Sequence, residues 1–277
     1  MRSDGVYKKT QRQIQKEYND ALNAAIRKNR DYFKTLEQVQ SGKIAPSRNL
    51  KTDAQVEAWK RGYLRRYIEQ RKTIESMADE MKEAGIRCRK SITEAMRKMY
   101  GIEDSAAAES LGAGKILPIK TDDQVRVLLD KKLSSFDKGA LTNLADAKTA
   151  QKRLRREFAV GILKGDNEAK MIQRIRDVTG MEERHAQTVL RTERTRVIGM
   201  AQQGTSEEYF EKTGVAPFKR WRCMFHNSRD SHIHTHDEVV RFDRAFSNGL
   251  MHPGDNSAPA AETINCQCVM EVFVDGK

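Results

Sequence analysis

From Ser3 to Gly214 the apolar residues recur at helical spacing, and no stretch alternates as a half-buried strand would. Between Lys9 and about Gln40, residues Ile14, Tyr18, Leu22, Ile26, Phe33 and Leu36 fall on one face, which predicts a long helix ended by Ser41 and Gly42. Beyond Pro46, Thr52 to Gln55 has the form of a capping box, and a stripe from Val56 through Trp59, Tyr63, Tyr67, Ile74, Met77 and Met81 predicts a second helix to Gly85. A third is expected over Ser91–Tyr100, closed by Gly101, and the Ala-rich stretch to Gly114 is either a short helix or a linker. A second capping box at Thr121 to Gln124 opens a helix to about Lys132. A basic helix follows from about Lys148 to Leu163, stopped by Gly165. Asp166 and Asn167 can cap the next, to Thr179 and Gly180, and a last helix is expected from Met181 to about Thr213. The stripes are the expected seams of a helical bundle.

Beyond Gly214 the texture changes. Three of the five prolines lie there, and Phe218–Met224, Glu238–Phe242 and Ile264–Phe273 read as strands. The fold class is therefore α+β: a basic N-terminal region rich in long helices, followed by a small β-rich C-terminal module. By composition the chain divides into a helical arm region (1–120), a basic helical region (121–214) and the β-rich module (215–277). Lys and Arg number 51 against 39 Asp and Glu, a net charge of +12. Residues 215–277 hold 7 basic and 8 acidic side chains, so the whole excess belongs to the helical part. That charge predicts attraction to polyanions, with nucleic acid as the first expectation. No stretch is apolar enough to span a bilayer, and the basic N-terminus lacks the apolar run of a secretory signal, so a soluble chain with no membrane partner is expected.

Four cysteines are too few for a disulfide scaffold, and three of them accompany five of the six histidines in the last quarter. In His232-Ile233-His234-Thr235-His236 a strand would set three imidazoles on one face, whereas a helix would scatter them. With Cys223, His226, Cys266 and Cys268 nearby, the candidate metal ligands are Cys223, His226, His232, Cys266 and Cys268, and the ion they suit is zinc. The other reading, with no cofactor, is reduced core thiols and polar surface histidines. A catalytic reading is a metal nuclease with His232 or His236 as base and Asn265 orienting it, but the paired Cys-x-x-Cys elements and Asp-His dyad that usually frame such a site are missing. The candidate phosphate contacts are Arg153, Arg155 and Arg156 in one basic run and Arg194 and Arg196 in another. Aromatics make up 6% of the chain and do not interleave with these runs, so sequence-blind contact with duplex DNA is favoured over stacking on single strands. The plainer alternative is a solvated helix face, or contact with an acidic protein surface.

The string Phe246-Ser247-Asn248-Gly249-Leu250-Met251-His252-Pro253-Gly254-Asp255, followed by Ala258 to Glu262 and Asn265-Cys266-Gln267-Cys268, resembles the phage head morphogenesis, or Mu F-like, minor head protein family. Arg191-Thr192-Glu193, Trp221, Arg229 and His232 are similar in kind and order to that family's other marks. Gln267 stands where the family usually has Arg, and Asp237 where it commonly has Gly. The resemblance covers roughly residues 150–275. It implies a structural, non-enzymatic minor head protein of a tailed phage, located in the virion at the capsid interior or portal vertex, and in the host cytoplasm during assembly. The implied partners are the portal protein, the major capsid or scaffold protein, and double-stranded DNA. Two alternatives remain at this point: a metal-dependent nuclease or processing enzyme using the His/Cys cluster, and a portal-bound adaptor without DNA contact. The residues themselves read first as a folding signature. Pro253 and Pro259 fix φ, Gly249 and Gly254 permit turns, and Asp255 and Asn256 can hydrogen-bond their own backbone, which together predict a long rigid loop.

Overall fold

The computed structural model describes residues 1–47, 50–133, 143–225 and 228–274. Among them the helices are α1 (Asp4–Lys28), α2 (Arg30–Gln40), α3 (Asp53–Gln70), α4 (Thr73–Ser110), α5 (Asp122–Leu133), α6 (Ala147–Lys164), α7 (Glu168–Thr213), α8 (Asp230–His234) and α9 (Ala260–Thr263). The strands are β1 (Phe218–Arg222), β2 (Val239–Arg241) and β3 (Val269–Phe273). The α+β expectation holds: long helices precede a small antiparallel sheet.

The capping boxes act as expected. Thr52 Oγ1 accepts from Gln55 N at 3.3 Å, and Thr121 and Gln124 exchange bonds of 2.8 and 3.3 Å between side chain and backbone. Two expected helices are each divided. The first breaks at Asn29, whose Nδ2 donates to Ala25 O at 2.9 Å and closes the last turn of α1. The second breaks at Arg71 and Lys72, the latter at φ +49°. Conversely, Gly85, Gly101 and Gly180 end nothing, since α4 and α7 run straight through them. At Gly85 the reason is packing: a Cβ there would stand 1.7 Å from Leu144 O.

Packing groups the chain into two compact units that are not contiguous spans of sequence. One comprises Met1–Gln13, Lys90–Leu141 and Gln187–Lys277, the other Ile14–Arg89 and Thr142–Ala186.

The second of these units is helical. Its core joins Leu22, Phe33, Leu36, Leu64, Met77, Leu154, Phe158 and Ile175, with Tyr32 packed against Phe33, Tyr67 and Phe158. The turn from α6 to α7 is fastened by Arg174, which reaches Asp166 and Glu157 at 2.7 Å each.

In the first unit the sheet order is β2-β1-β3, with both pairings antiparallel and Trp221 opposite Met270. Burial alternates along β1, so Lys219 and Trp221 point inward. Trp221, Phe246, Leu250, Cys266, Cys268 and Met270 share a core with Ala107, Leu111 and Leu117 of the α4 end and the turn after it. β3 begins later than expected, because Ile264 caps α9 and the next residue, Asn265, is left-handed (φ +63°).

Candidate functional site

The histidine run folds as α8 and the turn after it, so its three imidazoles separate. His232 is 1% exposed, in edge contact with the Trp221 ring at 5.1 Å. His234 is exposed, its Nδ1 2.7 Å from Asp230 O. His236 accepts from Cys223 N at 3.1 Å and lies 3.3 Å from Asp237. The single face of three histidines that a strand would give is absent from this geometry.

His232 is instead joined by two of the predicted thiols. Its Nδ1 lies 3.6 Å from Cys266 Sγ and 3.5 Å from Cys268 Sγ, and all three side chains are buried. On its other edge, Nε2 lies 3.0 Å from Glu262 Oε2, a carboxylate that also accepts from Ser231 Oγ at 3.0 Å. The hydrogen bond between the two thiols holds Cys266 below the ordinary thiol range, and that bond together with burial pushes Cys268 above it. Cys223 is buried in the same core, its sulfur accepting from Phe225 N at 3.4 Å, but it does not stand within the converging group of three. His226 lies outside the described residues.

In the loop over residues 246–259 Asp255 hydrogen-bonds neighbouring backbone as expected, whereas Asn256 Oδ1 is buried without a hydrogen-bond partner among the described residues. One carboxylate oxygen accepts from Met251 N at 2.9 Å, the other from Ser257 N and Oγ at 2.8 Å each. Burial raises the Asp255 pKa, but these donors outweigh it and leave the group below its ordinary value. The loop docks on α7. A Cβ on Gly254 would stand 2.8 Å from the Arg196 backbone, and one on Gly199 would stand 2.4 Å from His252 Nδ1 and 2.6 Å from Pro253 O. The following segment is held by α7 as well: Asn265 N donates to Thr192 Oγ1 at 2.9 Å, Arg191 donates to Asn265 Oδ1, and Thr195 Oγ1 donates to Cys266 O at 2.5 Å. This use of α7 as a docking edge is what sequence reasoning missed. The Arg-Thr-Glu sequence carried the signal, since a Thr three residues from another Thr on a helix offers two hydroxyls to one side.

Residues 152–271 match the family described as phage Mu protein F like protein. This part of the chain is a phage Mu F-like domain. The family is one of structural head morphogenesis proteins, as the resemblance in the C-terminal motifs implies. Comparison with curated proteins and with solved structures gives no significant match. The Mu F-like domain draws on both packing units: residues up to Ala186 belong to the helical one and those from Gln187 to the other.

The five predicted phosphate contacts part company inside the domain. Arg155 and Arg156 are exposed on α6, and Arg153 is 41% exposed while pairing with Glu182 at 2.5 Å. Arg155 also pairs with Glu75 at 2.7 Å. Arg194 and Arg196 require correction, because neither is presented to solvent as a phosphate contact would be. Arg194 pairs with Asp4 and stacks 4.4 Å over the Tyr7 ring, whereas Arg196 is fully buried and pairs with Glu193 at 2.5 Å. Their place on α7 faces the protein interior, and charge alone could not show that. What survives as a basic surface is a stripe of Lys148, Lys152, Arg155 and Arg156 at steps of four, three and one along the exposed side of α6, opposite the buried Ala150, Leu154 and Phe158. Among the described residues no helix is long and apolar enough to cross a membrane.

Proposed function

We propose that this chain is a structural minor head protein of a tailed phage, acting in head assembly by binding the portal or the inner capsid surface and packaged double-stranded DNA. The observation that carries this reading is the Mu F-like domain itself, built around the loop and Asn-Cys-x-Cys segment that α7 holds in place. A rigid module of this kind suits a role in fixing protein contacts. The basic stripe on α6 supports DNA as the second partner, since Lys and Arg along one exposed helix face can neutralise phosphates without reading sequence. Portal, major capsid or scaffold protein, and a place in the virion follow from the same reading of the domain.

The geometry also weighs against the nuclease reading, because a base at His232 would have to work from a fully covered position with Nδ1 turned toward two thiols. The test of DNA contact is salt dependence of duplex binding by the full chain. Replacing Lys152, Arg155 and Arg156 by Gln should lower the slope of log K against log salt by about 2.7, at about 0.9 per phosphate contact. An unchanged slope would remove the stripe from the reading, and no binding by the wild type would leave the adaptor without DNA contact. Counting this chain against portal and major capsid subunits in purified procapsids and virions tests the head assignment, which its absence from both would overturn.

A further inference from the structure

We propose that Cys266, Cys268 and His232 bind a zinc ion that ties the Asn-Cys-x-Cys segment to α8 inside the Mu F-like domain. The three donors come from two separate stretches of chain, and their ligand atoms all lie within 4.8 Å of one another. The individual distances are more telling. For a tetrahedral zinc with Zn–S of about 2.3 Å and Zn–N of about 2.0–2.1 Å, the sulfur-to-nitrogen edge is about 3.6 Å. The two observed edges are 3.6 and 3.5 Å. Two of the three edges of the donor triangle therefore already have the length a tetrahedral zinc requires, and the third lies within 4.8 Å.

The groups around the three donors are also fixed. Glu262 Oε2 lies 3.0 Å from His232 Nε2, a negative charge beside the imidazole edge that faces away from the two sulfurs. Ser231 Oγ holds that carboxylate in turn. On the thiol side, Thr195 and Thr192 fasten the backbone at Cys266 and Asn265, so the segment is set before an ion arrives. Both thiols bind as thiolates, each releasing one proton to solvent, and the imidazole binds neutral. The two negative charges cancel those of the ion, which makes burial of the centre tolerable in a core closed by Trp221 and Phe246.

The same 3.5–3.6 Å separations also suit thiol hydrogen bonds to the imidazole, so the competing outcome is a metal-free pair of core thiols. The test uses the full chain, expressed with zinc supplied and purified under reducing conditions. The expected result is zinc in stoichiometric amount by elemental mass spectrometry, replaceable by cobalt(II) with the absorption of thiolate-to-cobalt charge transfer. Cys266→Ser and Cys268→Ser should lose the ion, whereas Cys88→Ser, at a buried thiol of the other packing unit, should keep it. Should the ligand variants fail to fold, cobalt(II) titration of the wild type carries the test, with a thiolate-to-cobalt band that saturates at one ion per chain expected. Wild-type protein that contains no zinc and gives no thiolate-to-cobalt band on titration would overturn the proposal. So would unaltered zinc content in both folded cysteine variants.

Discussion

Replacing Gly254 by Ala tests whether the loop of the Mu F-like domain is fixed by its seat on α7 or only by its own turn. Two costs add at this position. The residue is left-handed at φ +75°, which costs a residue with a Cβ about 1–2 kcal/mol. The new methyl would also stand 2.8 Å from the Arg196 backbone, and relieving such overpacking costs about 1–3 kcal/mol. The expected loss is therefore about 2–5 kcal/mol. Gly249 supplies the control, because it is left-handed at φ +80° but a Cβ there meets nothing within 4 Å, so Gly249→Ala should lose only about 1–2 kcal/mol. The assay is urea unfolding followed by Trp221 fluorescence in a Trp59→Phe background, since Trp221 is fully buried in the same core as the loop residues Phe246 and Leu250. If Gly254→Ala and Gly249→Ala lose the same stability, the close approach to α7 contributes nothing and the docking account fails.

Three further outcomes are expected. Gly199→Ala should destabilise the Trp221 transition by up to about 2 kcal/mol, its collision with His252 and Pro253 costing about 1–3 kcal/mol against the gain of about 1 kcal/mol that Ala ordinarily brings to a helix interior; a gain in stability would show that the loop is not seated there. Burial pulls the Lys219 pKa down to about 8 from 10.5, against the opposing pull of Asp255, Glu207 and Asp243, so the unfolded chain holds the extra proton between those values. Wild-type stability should therefore rise relative to Lys219→Met from about pH 8 to pH 10.5, by up to about 3 kcal/mol, the penalty being present in full below pH 8; parallel pH profiles for the two proteins would refute this. Finally, a fragment of residues 152–277 should lack the fixed near-ultraviolet circular dichroism of a packed Trp221, because Ala107, Leu111 and Leu117 complete its core; a native-like signal from the fragment would contradict that dependence.

What the sequence made legible was local chemistry. Thr52 and Thr121 were readable as caps because a hydroxyl and a Gln three residues on satisfy nearby backbone groups whatever the rest of the chain does. Gly165 likewise ends α6 in the expected place. Gly85 and Gly180 resembled stops equally well, but a glycine also serves where another backbone comes close, and that partner for Gly85 is Leu144, far along the chain. The same limit explains the arginines. Arg155 and Arg194 are alike as residues in basic runs, and only the packing of α1 beside α7, with Asp4 and Tyr7 under the guanidinium, turns Arg194 away from solvent. Of the candidate metal ligands, His232, Cys266 and Cys268 were identifiable by type; their convergence depended on α8 being a helix, which the alternation of histidines hid.

The threading of the chain between two units bears on the order in which it can fold as it is made. The opening residues anchor in the unit that closes last: Ser3 N and Oγ both donate to the buried Glu103 carboxylate, at 2.9 and 2.7 Å, and Asp4 waits for Arg194. None of that unit's core can be sealed until Gln187 and the residues after it have left the ribosome. The helical unit is ready sooner, since its final span ends at Ala186. A nascent chain thus carries an unsheltered half through most of its synthesis, and slowing translation late in the message should lengthen the window for capture by chaperones more than slowing it early.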